Sequence, residues 1–292
     1  MPRRASPPSP ACAPGSRAAG AAIALALALA AWALPATAAP ERVVSMNVCT
    51  DQLAMLVAAP GQLASVSGLA RDPNTSAMVG EAGAYPVNHG LAEEVFMMQP
   101  DLVLAGPSTA RPAIALLQRL GVEVVEFAPE TSIEDIRANL RRMGAALGRE
   151  ARAEAVIAEL DAVLAAVPPA RSPAPRAVLY EANAYTSGTG ALPDAVLRAA
   201  GLRNVAAERG IAGVARLPLE VLVMAAPDLV ITGERYARPS LGEAILDHPA
   251  LAAVQAAAAP AVIPSSAWVC GTPATAAAVA RLAALREELA GE

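Results

Sequence analysis

Residues 91–106 read LAEEVFMMQPDLVLAG, and residues 217–233 read LPLEVLVMAAPDLVITG. In each, a glutamate (Glu93 or Glu220) stands seven residues before the proline of a Pro-Asp-Leu-Val entry into an apolar run. Pro100 and Pro227 cannot continue a helix, and the short apolar run after each suits a strand buried on both faces. A helix–strand joint of this kind is generic in an alanine-rich α/β protein. The same offset of acid, proline and strand in both halves predicts something more specific, two lobes built alike.

Working outward from the first copy, Arg42–Met46 and Ala64–Leu69 read as strands, with a helix over Asp51–Ala59 between them that Gly61 stops. Asp101–Ala105, Thr109–Leu120 and Val122–Phe127 give strand, helix, strand. The segment Ser132–Gly148 is helical, with Ser132 as cap and Asp135 in its first turn. Glu150–Val167 carries Val156, Leu160, Val163 and Val167 at helical spacing and runs into Pro168-Pro169. The proline-rich stretch Ala170–Pro175 is the one clear boundary. Beyond it Ala177–Glu181, Asp228–Thr232 and Ala261–Ile263 are predicted strands, Leu192–Ala200 a helix ended by Gly201, and Thr275–Ala290 a final helix. Such alternation gives an α/β fold with parallel-type sheets flanked by helices. The predicted organisation is a signal peptide over 1–38, an N-terminal lobe over 39–148, a bridging helix over 149–169 and a C-terminal lobe over 170–292.

The signal peptide rests on order. Arg3, Arg4 and Arg17 precede the apolar run Ala18–Leu34, and Ala36-Thr37-Ala38 offers a small-x-small cleavage site. An uncut membrane anchor is the competing reading of a run that nearly reaches the ~20 residues a bilayer needs. Cys12 precedes the run, so it is no lipid-attachment site. The mature chain is expected to be soluble and periplasmic. It would hold 19 arginines against 27 acids, a net of −8, with no lysine. That balance argues against nucleic acid or anionic lipid as partner.

The paired Glu-x6-Pro-Asp-Leu-Val segments and the single long helix between them resemble the vitamin B12, ferric-siderophore and haem class of periplasmic solute-binding proteins. The stretches Tyr185-Thr186-Ser187-Gly188 and Ser265-Ser266-Ala267-Trp268 are similar to its vitamin B12 binders. The resemblance spans the mature chain. It implies two lobes bridged by one rigid helix, a largely pre-formed cleft with little lobe closure, and a bulky ligand delivered to the permease dimer of an ABC importer. It also implies that one surface glutamate per lobe docks on permease arginines. Glu93 and Glu220 stand at the matching positions, with Glu94 as a neighbour. Their plain alternative role is to favour the first turn of a helix. A monomer without a cofactor of its own is expected.

In such a fold the ligand meets loops at the carboxyl ends of the strands. The candidates are Asn47, Cys49, Thr50, Asp51, Arg71 with Asp72, Asn88 and His89 from the first lobe, and Tyr185, Thr186, Trp268 and Cys270 from the second. Tyr185 and Trp268 offer flat apolar faces with a polar edge. Arg71 is either an anion partner or an ordinary surface arginine. Asp51, Asn47 and Thr50 are either ligand contacts or helix-capping groups. His89 is a candidate axial ligand to a chelated metal, whereas His248 reads as loop structure. Two distant histidines cannot cage a free ion. Cys49 and Cys270 either pair across the cleft, stay as thiols near ligand metal, or are two unrelated buried residues. The expected ligand is a corrinoid first and a ferric siderophore second. Haem would need iron ligation by His89, Tyr180 or Tyr185. A sensor of the same fold is the non-transport alternative. An enzyme is not expected, since the chain lacks a Gly-x-Ser-x-Gly elbow and a phosphate-binding glycine pattern.

Overall fold

The computed structural model describes residues 1, 5–6, 38–107, 109–170, 172–236, 238 and 240–291. The chain divides into a unit of Met1–Ala38 and a unit of Ala39–Glu292. Nearly all of the expected signal peptide, Cys12 included, lies outside the described residues. No helix among the described residues is long and apolar enough to cross a membrane.

The first lobe alternates strands and helices: β1 (Val43–Ser45), α1 (Val48–Val57), β2 (Leu63–Ser67), α2 (Val79–Ala82), β3 (Val87–Asn88), α3 (Ala92–Met97), β4 (Leu102–Ala105), α4 (Arg111–Arg119) and β5 (Glu123–Glu126). Its strands pair in parallel in the order β3-β2-β1-β4-β5. Helix α5 (Ile133–Leu147) follows. Ser132 Oγ accepts from Asp135 N–H at its start, and Gly148 closes it in the left-handed region at φ 64°. Helix α6 (Glu150–Ala165) then crosses to the second lobe, packed on α5 and on the last helix.

The second lobe comprises β6 (Arg176–Leu179), β7 (Tyr185–Ser187), α7 (Leu192–Ala199), β8 (Arg203–Asn204), α8 (Val205–Glu208), β9 (Val214–Arg216), α9 (Leu219–Ala225), β10 (Leu229–Thr232), α10 (Pro249–Ala257), β11 (Ala259–Val262), α11 (Ser266–Val269) and α12 (Pro273–Gly291). Its main sheet is parallel, in the order β11-β10-β6-β8. That is the topology of β5-β4-β1-β2, so the two sheets are wound alike and β3 is the first lobe's addition. The antiparallel ribbon β7–β9 belongs to the second lobe alone, and periodicity had given no sign of it.

The repeated joint sits at the amino ends of both sheets and matches residue by residue. Glu41 and Arg42 N–H groups donate to the Asp101 carboxylate at 2.6 and 3.0 Å, and Arg176 N–H donates to Asp228 Oδ2 at 2.7 Å. The guanidinium of Arg42 donates to Met98 O, and that of Arg176 to Ala225 O. Both helices unwind through a non-glycine residue at positive φ, Gln99 at 52° and Ala226 at 43°. Each of these residues stands directly before a proline, which disfavours the right-handed α region for the residue preceding it and so ends the helix there.

The lobes do not have separate interiors. One continuous apolar cluster takes Leu53, Val66 and Leu104 from the first lobe, Leu140, Met143 and Leu160 from α5 and α6, and Leu179, Leu197, Trp268 and Leu282 from the second. Smaller clusters cover the outer face of each sheet. A Cys49–Cys270 disulfide, with Cα atoms 5.0 Å apart, ties the start of α1 to the end of α11. Beside it Gly271 N–H in the second lobe donates to Glu130 Oε2 in the first at 3.4 Å.

Candidate functional site

The central strands of the two sheets run in register through the repeat. Arg42 matches Arg176, Met46 matches Tyr180, and Asn47 therefore matches Glu181. Met46 N–H donates to Leu104 O and Tyr180 N–H to Ile231 O, which confirms the correspondence in hydrogen bonds. At the next step the lobes part. In the first, Asn47 caps α1 at once, its Oδ1 accepting from Cys49 N–H at 3.0 Å, so a helix stands on the strand end. In the second, the chain passes through Asn183 and Ala184 at φ 56° and 62° and turns into β7. The strand end is left open there.

This opening is a cleft of about 350 Å³. Asn74 of the first lobe stands on one side. Glu181, Asn183, Tyr185 and Ser265, with Glu234, Tyr236 and the buried Glu243, stand on the other. It lies at the carboxyl ends of β6 and β10, where the strand order reverses and where doubly wound sheets take ligands. Gly233 bends β10's exit around Glu181 and Ser265; a Cβ there would lie 2.7 Å from Ser265 Oγ. Gly106 serves Asn47 the same way in the first lobe, at 2.9 Å. Ser265 Oγ donates to Glu181 Oε1 at 2.9 Å. Burial pushes the Glu181 carboxyl above the usual carboxylate range, and the Ser265 bond offsets part of that. Tyr185 is two-fifths exposed, with the Arg216 guanidinium 5.6 Å over its ring. Arg235 is held by Asp247 at 2.6 Å and by Glu243 O at 3.1 Å. Among the described residues no arginine lines the cleft. A larger hollow, about 1010 Å³, lies at the opposite, amino ends of β6, β10 and β11, away from the strand ends that present loops to a ligand.

Of the expected ligand contacts, Tyr185 is on the cleft wall. Several others are spent inside the protein. Thr50 bonds Ser45 Oγ at 2.7 Å. Asp51, expected to start its helix, is fully buried in the first turn of a helix that begins three residues earlier, and it accepts from Ser67 N–H at 3.1 Å. Burial raises its carboxyl to about 6, against hydrogen bonds from Ser45 and Ser67 that lower it. Asn88 Nδ2 donates to Ser45 O and Ser65 Oγ. Thr186 is buried behind Tyr185, because alternate residues of β7 face opposite ways. Trp268 belongs to the shared core and Tyr180 is wholly buried. Arg71 points its guanidinium at Ala82 O and Tyr85 O, so it braces a loop. Asp72 turns that loop by accepting from Asn74 N–H. His89 is largely exposed and bonds Glu94 Oε1 at 3.1 Å, which with its N–H bond holds that carboxyl below its usual range. Of the three readings of the cysteines, the structure has the cross-lobe disulfide. Among the described residues no group of three or more His, Cys, Asp or Glu side chains could hold a metal ion.

Sequence reasoning did not single out Glu181, Asn183, Glu234 or Tyr236 of the cleft wall, and it named Ser265 only within the stretch similar to vitamin B12 binders. The signal for the first was available: extending the repeat from the Pro-Asp joints to Arg42 and Arg176 brings Glu181 opposite Asn47.

Comparison with known proteins agrees with this architecture. The family described as periplasmic binding protein matches residues 43–264. A cobalamin-binding protein of Halobacterium salinarum is 30% identical over 200 residues, 66% of this chain and 54% of that one. The chain thus spans about half the length of the curated relatives it matches. Among solved structures, the apo periplasmic haem-binding protein RhuT from Roseiflexus sp. RS-1 superposes with a TM-score of 0.71 at 21% identity, covering 86% of this chain and 99% of that one. The periplasmic vitamin B12-binding protein BtuF of Vibrio cholerae gives 0.64 at 18%, over 87% and 99%. An ABC-type ferric hydroxamate transport protein from Saccharomonospora viridis gives 0.65 at 21%, over 87% and 94%.

Proposed function

We propose that this chain, which belongs to the periplasmic binding protein family, captures a corrinoid in the cleft between its lobes and delivers it to the permease of an ABC importer. The observation that carries the choice of ligand is the chemistry of the cleft wall. It offers two exposed tyrosines, Tyr185 and Tyr236, two side-chain amides and three carboxylates, and among the described residues no cationic side chain lines it, the Arg216 guanidinium lying over the Tyr185 ring. A corrinoid presents a flat apolar macrocycle rimmed by amide groups. Its amide N–H donors suit Glu181, Glu234 and Asn183, and its plane suits the tyrosines. The carboxylates of haem and of many ferric siderophores would meet like charge there. The cleft of about 350 Å³ receives an edge of so large a ligand, not the whole. Cobalt arrives already chelated, so the protein need supply no metal cage. The 30% identical cobalamin-binding relative points the same way.

Delivery, on this reading, uses Glu93 and Glu220, both exposed, one on each lobe. Because α6 and the shared core join the lobes, the cleft changes little between free and loaded forms.

Titration of the mature protein with aquocobalamin, haem and a ferric hydroxamate, followed by calorimetry and visible spectra, tests the ligand. A one-to-one corrinoid complex is expected, weakened roughly tenfold or more by Tyr185→Ala or Tyr236→Ala, as for aromatic anchors elsewhere. Tight binding of haem with none of the corrinoid would overturn the assignment.

A further inference from the structure

Both copies of the repeated joint leave the same pair of apolar side chains in solvent. Three and four residues after Glu93 come Phe96 and Met97, 42% and 79% exposed; three and four after Glu220 come Val223 and Met224, 45% and 70% exposed. Burial agrees at the other turns of the two helices as well. Val95 and Leu222 are buried, and Glu93 and Glu220 are exposed. Positions i, i+3 and i+4 share one helix face, so each lobe carries one patch made of a carboxylate and two large apolar groups. Beside the second patch lies a groove of about 440 Å³ lined by Val223, Asp228, Val254 and three alanines of α10, Ala250, Ala253 and Ala257. A monomer has no use for four such side chains in water, and their recurrence at one offset in two lobes is not the scatter expected of stray surface hydrophobics.

We infer that Phe96–Met97 and Val223–Met224 are apolar anchors that retain the protein on its permease, while Glu93 and Glu220 only steer and orient it. This rests on the docking reading above and deepens it. Two equivalent patches on one chain are matched by two copies of one surface, hence a symmetric dimer. Each protomer of it would offer a cation next to an apolar socket. Charge acts at a distance and sets the association rate, falling with salt; desolvated apolar contact sets the dissociation rate. Methionine suits an anchor that must fit the two patches' slightly different surroundings.

The test uses the full-length mature protein and the permease complex of the same source in lipid nanodiscs. Binding kinetics are recorded at low and high salt, with ligand affinity as the control for folding. Met97→Ser/Met224→Ser is expected to speed dissociation by roughly tenfold or more, with association at low salt and ligand affinity unchanged. Glu93→Gln/Glu220→Gln is expected to slow association and remove its salt dependence while changing dissociation less. Unaltered dissociation in the methionine variant, alongside impaired docking in the glutamine variant, overturns the anchor assignment and leaves the docking reading intact. If neither variant alters association or dissociation, the docking reading itself falls. Concentration-dependent self-association in sedimentation, lost in the methionine variant, would reassign the patches to a second copy of this chain and overturn the proposal.

Discussion

The amino ends of the two lobes are nearly the same object, whereas their carboxyl ends are not. At the amino ends an arginine, an aspartate, a proline and a residue at positive φ recur with matching bonds. At the carboxyl ends Asn47 seals one strand under a helix, and Glu181 leaves the other facing a cleft. The difference teaches where constraint lies. The joints hold the strand starts in place and face outward identically, so both must stay alike. The loops at the other end face the cleft, and there the second lobe differs by the β7–β9 ribbon.

Three measurements would break or sharpen this contrast. The largest effect concerns the buried acids beyond the strand ends. Asp51 titrates near 6 because burial disfavours its charge, so the folded protein binds its proton more tightly than the unfolded chain. Stability is therefore lower above that value and rises as pH falls from 7 through 6 toward 4. The gain from this one group is on the order of 3 kcal/mol. Urea melts across that range should show the rise, and Asp51→Asn should flatten most of it. A profile unchanged by that substitution would put the sensitivity elsewhere, in Glu130 or Glu181, whose carboxyls burial also raises.

Next come the joints themselves. Arg176 is half-buried and also pairs with Glu208 at 2.8 Å, while Arg42 is exposed and among the described residues its side chain bonds only within the joint. Arg176→Ala should cost about 2 kcal/mol and Arg42→Ala about 1, following the net worth of the hydrogen bonds each loses. Equal losses in denaturant melts would mean the second lobe's extra ion pair adds nothing. The smallest effect is Glu181→Gln, which keeps an acceptor for Ser265 and removes a charge that burial disfavours. Apo stability should rise by a few tenths of a kcal/mol at pH 7, with loss of affinity for an amide-bearing ligand. A melting temperature that falls instead would show that the carboxylate is structural, as Asn47 is in the first lobe.

The sequence made the joints readable because single residues cause them: proline ends the helix and aspartate takes the strand's free N–H groups. The bridging helix was also readable from its valines and leucines, though it ends at Ala165 where the periodic residues had suggested 167. Strand-end side chains were not. Thr50, Asp51, Asn88 and Thr186 have the same composition as a binding loop, and only the packing of β1 and β2 against α1, and of β7 against the lobe, turns them inward. Trp268 failed for a related reason, since an aromatic next to the cleft and one in the shared core look alike in sequence. The cysteine pairing depended on a distance between lobes that no spacing encodes.

The Cys49–Cys270 bond closes the chain into a ring across a separation of 221 residues that contains both copies of the repeat. In the chain-entropy view, so long a ring removes about 5 kcal/mol of freedom from the unfolded state. It also changes what a proteolytic cut does to the chain. A single nick between the cysteines opens the ring without releasing a fragment, and the two halves stay on one covalent body.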